Sequence, residues 1–524
     1  MHKAIYILFL GFVLLLTSCR KDFDTVPSTG NLEFSKQTVF LDTIFTDIGS
    51  STYMLKVYNR SNKDITIPSI QLAKSNSKYR IMVDGMTGND ADNNGQGDGR
   101  SFPNVELLAK DSLFVFIETT VNIADANPEN FLYTDEIVFQ SINGSQKVNL
   151  VTLIQDATFI FPNRDIDTRI KEKLSINGEQ TEIEGHALLT DTELNWTKEK
   201  PYVVYGYAMV PNGKTLNIEQ GSKVYFHANS GMIVDTGGTL KVNGGVSSYD
   251  VEGNVLVNNE VTFEGDRLEP SFEDTPGQWG SILIASGTDN TINHLTLKNA
   301  AIGIYLPSIS LTEQPKVTIT NSQIYNSSIY GIYGVNASVT GTNVVANLAG
   351  QACLGVVSGG TYNFKHCTFN NNWGSPKQVA VLLANYDTDE NGQNINIADL
   401  SQAVFHNCII YGINNVELLL LKAETAALNI DFQHCLVKFR EAGTGVEGDT
   451  LYNFLRSPLM PANGNKINED PKFLNANSNK LNIEDESPAH LAGADLGELY
   501  DVSGRNRTSI PPDIGAYQSF PFPD

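Results

Sequence analysis

Cysteine is scarce in this sequence, with five in 524 residues and no CxxC spacing. That excludes a disulfide-built scaffold and the usual zinc modules. Basic residues are also in deficit: 36 Lys and Arg stand against 59 Asp and Glu, a formal charge of −23. Such a surface repels nucleic acid and anionic headgroups, and it disfavours polyuronates unless a cation or a local basic groove intervenes. Charged residues are only 18% of the chain and apolar ones 41%. A large core is therefore expected and wholesale disorder is excluded.

A bilayer-spanning run is missing from the start of the chain. The apolar stretch Ala4–Leu16 follows a short basic start and is shorter than the ~20 residues a span needs, so it reads as the h-region of a signal peptide, residues 1–18. Leu16-Thr17-Ser18-Cys19 resembles the bacterial lipobox, which implies a diacylated Cys19 as the first mature residue. Two or three acyl chains at ~0.8 kcal/mol per buried methylene hold firmly. Residues 19–31 are then a tether. Arg20-Lys21-Asp22-Phe23-Asp24 is similar to surface-export signals of Bacteroidetes lipoproteins, and a solvated tether accounts for it equally. The expected location is the outer membrane, lipid-anchored, at the cell surface.

Residues 32–157 read as short alternating strands bounded by Asn, Gly, Asp and Pro, the pattern of a β-sandwich. Val57-Tyr58-Asn59 with Ile65-Thr66-Ile67 resembles Ig-like domains of the Hydin/abnormal-spindle type, which implies a spacer or binding module. Within it, Asp90, Asp92, Asn94 and Asp98 occupy positions 1, 3, 5 and 9 of a loop with Gly95 at position 6. That spacing suits calcium, although Ser101 replaces the bidentate Glu; a run of Asx turns reads the same way. Asp387, Asp389 and Asn391 repeat only the first half of the pattern.

The middle of the chain repeats. His294, Asn321, Asn343, His366, Asn407 and His434 each close a short strand, at steps of 27, 22, 23, 41 and 27 residues. Most of these steps match one coil of a right-handed parallel β-helix, expected over residues 200–480, with residues 372–403 as a protruding insert. Asn tolerates the left-handed backbone of a corner, and its amide can reach the copy on the next coil. The following residues, among them Cys367, Cys408 and Cys435, are small or apolar and read as inward, either as a thiol column or as a bridged pair. Residues 158–199 read as a linker or N-terminal cap.

Gly265-Asp266-Arg267-Leu268-Glu269-Pro270 with Pro276-Gly277-Gln278-Trp279 is similar to a segment of Bacteroidetes β-helix lipoproteins. Glu469-Asp470-Pro471, Ser487-Pro488-Ala489, Gly504-Arg505 and Asp513-Ile514-Gly515-Ala516-Tyr517 look like the terminal segment of choice-of-anchor Q proteins. The resemblance implies a surface β-helix and no catalytic residues. It makes residues 481–524 a cap sealing the open end, with Arg505 and Asp513 placed to pair.

The fold class expected is all-β: an Ig-like sandwich followed by a β-helix. Such helices host polysaccharide lyases and hydrolases, but no Asp-Asp or His-Gly dipeptide occurs here, and no catalytic residue emerges. Aromatic residues Trp279, Tyr305, Tyr330, Tyr333 and Trp373 are candidates for stacking on sugar rings. The expected function is binding, adhesion or a structural part of the envelope, toward glycans or an envelope protein. The alternative is a lyase or hydrolase with the 269–279 loop and the insert as cleft walls. Calcium is the one cofactor implied, and nucleic acid is not a partner.

Overall fold

The computed structural model describes residues 24–90, 97–249, 255–309, 314–456, 463–507 and 510–522. The chain is all-β, with one four-residue α-helix, Asn453–Arg456, among the described residues. It divides into two compact units, residues 1–156 and 157–524. No helix among the described residues is long and apolar enough to cross a membrane. Cys19, Asp92 and Asn94 lie outside the described residues.

The first unit holds two sheets. One orders Val26–Pro27, Ile65–Leu72, Leu132–Ser141, Gly144–Gln155 and Thr38–Phe45, with Ser101–Leu107 also paired to Ile65–Leu72. The other orders Leu32–Phe34, Tyr53–Asn59, Ser112–Thr119 and Tyr79–Val83. Alternation does the sorting: Leu113, Val115 and Ile117 are buried while their neighbours are half-exposed. One core draws on both sheets, with Leu55, Val57 and Val115 from one and Ile67, Phe139 and Leu150 from the other. The Ser101–Leu107 strand contains Pro103, which breaks the sequence pattern but is tolerated because this strand pairs on one side only.

The second unit is built from parallel ladders. An eleven-stranded sheet runs from Thr158–Ile160 through Tyr202–Val204, Lys223–Phe226, Val261–Gly265, Leu295–Lys298 and onward to Lys466–Ile467. A seventeen-stranded sheet holds the other two ladders side by side. One includes Tyr207–Val210, Gly231–Val234, Trp279–Ile284 and Ala300–Leu306; the other includes Thr215–Glu219, Thr239–Asn243, Asn290–Asn293 and Lys316–Thr320. The chain visits the three ladders in fixed rotation. Equivalent residues thus fall in register at the ~4.8 Å interstrand spacing.

That register stacks like on like inside the unit. Phe364, Phe405 and Phe432 pair in sequence, with ring centroids 5.3 and 4.8 Å apart. Position 341, paired between Ile319 and Phe364, is glycine, and a Cβ there would lie 2.4 Å from the Phe364 ring. Phe454 extends the column at 5.3 Å and Tyr452 stacks on Phe439 at 4.8 Å. Residues 439–456 therefore close this end of the core.

Within residues 158–199, read as a linker or N-terminal cap, Thr158–Ile160, Gly185–Ala187 and Asn195–Trp196 pair with the ladders. Two expectations are corrected by this arrangement. The 372–403 insert contains a ladder strand, Val379–Ala384, so only the hairpin around Asp387–Thr388 and Asn394–Ile395 departs from the stack. The 481–524 segment does not seal the end. It runs back along the flank of the eleven-stranded sheet, where Leu481, Ile483, Ala489, Val502, Ile514, Ala516 and Tyr517 pack on Tyr325, Val345, Ile409 and Leu436. Its apolar residues have outward-facing apolar side chains to cover, and the end is already filled.

Candidate functional site

The six recurring Asn and His residues sit at φ between +48° and +54°, the left-handed corner that non-glycine residues seldom adopt. Their side chains bond from one corner to the next: Asn343 Nδ2 donates to Asn321 Oδ1 at 2.9 Å, and Asn321 Nδ2 donates to Asn293 Oδ1 at 3.1 Å. Asn407 Nδ2 donates to His366 Nε2 at 3.0 Å. They also hold the C-terminal strap. Asn343 Nδ2 donates to the Tyr500 carbonyl, Asn407 Nδ2 to that of Ala494, and His434 Nδ1 to that of Ala492. Burial, with Arg507 nearby, holds the His366 imidazole down at about 3, so it stays neutral. The sequence pattern did not reveal that this column also binds the strap.

Arg505 does not pair with Asp513. It lies over the Phe520 ring at 4.1 Å, while Asp513 accepts from the amides of Leu491 and Ser519. The buried cation is Arg507, which donates to Asn343 Oδ1 at 3.0 Å and Gln518 Oε1 at 2.8 Å. Cys353, Cys367, Cys408 and Cys435 are buried free thiols. Cys408 donates to the His406 carbonyl and Cys435 to that of Phe405.

The loop carboxylates cap turns. Asp98 Oδ1 accepts from the amides of Asn89, Arg100 and Ser101. Asp387 Oδ1 accepts from Thr388 N, and Asp389 Oδ1 accepts from the amides of Asn391 and Gln393. Those amides hold the Asp389 carboxyl below its ordinary range. Among the described residues no three His, Cys, Asp or Glu side chains converge as a metal site would require.

The aromatic candidates are largely engaged with one another. Trp279 is 2% exposed, stacks on Phe226 at 4.3 Å and donates Nε1 to the Lys298 carbonyl. It is a core residue and offers no face to a ligand. Tyr333 lies between Tyr330, at 4.3 Å, and Tyr305, at 5.6 Å, in a half-buried stack over Gly355. Burial with the nearby Asp387 pushes all three phenols up. Trp373 is half-buried against Gly350.

A polar groove, not anticipated as such, opens on the outer face of the eleven-stranded sheet. Its volume is about 470 Å³. The floor follows from register: Lys223, Thr262, Thr296 and Gln323 form one outward column, and Glu264, Lys298 and Tyr325 the next. Glu273 and Asp274 come from the 266–278 loop, and Ser478 and Asn479 from the strap. Lys298 Nζ lies 3.0 Å from Glu264 Oε2, both largely shielded. Thr296 donates to Glu260 Oε2 at 2.8 Å, and Asn326 to Asp274 Oδ1 at 3.0 Å. Tyr325 and Tyr517 both donate to Gln323 Oε1, so the strap fixes the end of the floor. The signal for this site lay in the outward strand positions, whose composition changes from charged to apolar along the sheet.

No family model matches the chain. No curated protein matches it either. Among solved structures, the chain is similar to the ASH / PapD-like domain of human CEP192 (PapD-like domain 7), at 12% identity and a TM-score of 0.16, over 25% of this chain and 91% of that one. It is also similar to a variant of BcpA, the major pilin subunit of Bacillus cereus, at 12% identity and a TM-score of 0.17, over 29% of this chain and 52% of that one.

Proposed function

We propose that this chain is a lipoprotein, anchored in the outer membrane through diacylated Cys19 and displayed at the cell surface. Its first unit is an Ig-like spacer, and its second is a right-handed parallel β-helix with a non-catalytic role in binding glycan. The lipobox-like Leu16–Cys19 supports the anchor. The three ladders, visited in rotation with side chains in register, support the helix. The observation that carries the binding role is the groove, an open polar trough whose floor repeats hydrogen-bonding side chains from coil to coil. A fatty-acid label incorporated by the wild type and lost in Cys19→Ser tests the anchor. A glycan array read with the full chain tests the ligand, and an array without signal overturns the binding role.

One observation favours a second reading, cleavage of the glycan. Glu264 and Lys298 lie together in the groove, and further carboxylates line it. Reducing-end and unsaturated-product assays on every array ligand separate the two: product formation rejects the non-catalytic role.

A further inference from the structure

We propose that the groove recognises a neutral glycan, through hydroxyl-directed hydrogen bonds rather than through ring stacking or charge. The inference rests on the glycan-binding role and assigns it a site and a ligand class.

Charge is the first reason. Two lysines face four carboxylates in the groove, in a chain of net charge −23. An anionic polymer would meet like charge. A cationic one is not required, because the two best-placed charges already neutralise each other at 3.0 Å, Glu264 against Lys298. Glu260 and Asp274 are likewise committed as acceptors, to Thr296 and Asn326.

The second reason is the shape of the floor. Tyr325 is 6% exposed and donates its hydroxyl to Gln323, so no flat aromatic face is presented there. What remains at the surface is a mixed set: carboxylate oxygens that accept hydroxyls, the Lys298 ammonium, and the side chains of Thr262, Asn258 and Ser478. Vicinal diols satisfy such a set, giving as many hydrogen bonds as they take. Register adds the third reason. Lys223, Thr262, Thr296 and Gln323 recur at the coil spacing, so a chain lying along the stack meets a polar side chain at each step.

The test is calorimetric titration of the full chain with neutral gluco-, manno- and xylo-oligosaccharides, oligogalacturonate and de-N-acetylated chito-oligosaccharide. Two variants accompany the wild type. Glu264→Gln with Lys298→Gln removes both charges of the ion pair while keeping polar side chains at the two positions, and Thr262→Trp fills the groove from an outward position. The expected result is binding of a neutral oligosaccharide that changes little between 50 and 500 mM salt and weakens about tenfold or more in both variants, with unchanged melting temperatures. Equal binding by Thr262→Trp overturns the site while leaving glycan binding intact. Preference for the uronate or the amino sugar overturns the neutral class. Failure of the whole panel overturns the glycan-binding role itself, and this inference with it.

Discussion

One column of side chains on the eleven-stranded sheet reads Lys223, Thr262, Thr296, Gln323, Val345, Thr368, Ile409 and Leu436 from strand to strand. Its first half is polar and lines an open groove; its second half is mainly apolar and lies under the C-terminal strap. The backbone is the same in both halves. The division of one face into a site and a buried seam is therefore made by side chains alone. The strap ends where the groove begins, with Ser478, Asn479 and Tyr517 at the boundary.

The sharpest way to break this comparison is to remove the strap. Deleting residues 473–524 uncovers Val345, Ile409 and Leu436; at 1.5–3 kcal/mol per buried apolar side chain the loss is on the order of 10 kcal/mol as an upper bound. The expected outcome is aggregation or strong binding of a hydrophobic dye, and unchanged melting would show that the strap merely rests on the sheet. Phe405→Ala, in the stacked column, is expected to cost about 3–5 kcal/mol in denaturant unfolding.

Point changes along the outward column sharpen the contrast. Ile409→Ala, under the strap, should cost about 2–4 kcal/mol, whereas Thr262→Ala, in the groove, should stay within about 0.5 kcal/mol. Equal effects at the two positions would abolish the distinction between seam and site.

A smaller effect follows from Glu417. Its carboxyl is fully buried, and burial raises it to about 8, partly opposed by the amides of Asn414 and Ala380. The folded chain keeps a proton that the unfolded chain releases near 4.5, so stability is greatest below that value and declines as pH rises through about 8. Glu417→Gln should therefore gain melting temperature over the wild type from pH 5 to pH 9. A constant difference across that range would mean the carboxyl is not held protonated.

Much of this architecture was legible because both β patterns are local. Alternation marked Ser112–Thr119, and the recurring Asn and His marked corners, since few residues accept positive φ. Other elements were not legible. Pro103 disguised an edge strand, and 158–199 carries ladder strands only three and two residues long at Thr158–Ile160 and Asn195–Trp196. Trp279 resembled a ligand platform because aromatic residues suit both a core and a sugar site; only its packing on Phe226 decides.

The groove lay deepest, because its lining comes from chain positions 223 to 479. By itself the sequence determined the all-β character, the repeat, the corner residues and the acidic surface, each a property of neighbours along the chain or of composition. The tertiary structure alone decided which residues face outward together, where the last fifty residues lie and which aromatic rings are spent on each other. Those outcomes depend on contacts between positions distant in sequence, from Phe226 with Trp279 to Gln323 with Tyr517, which no local pattern encodes.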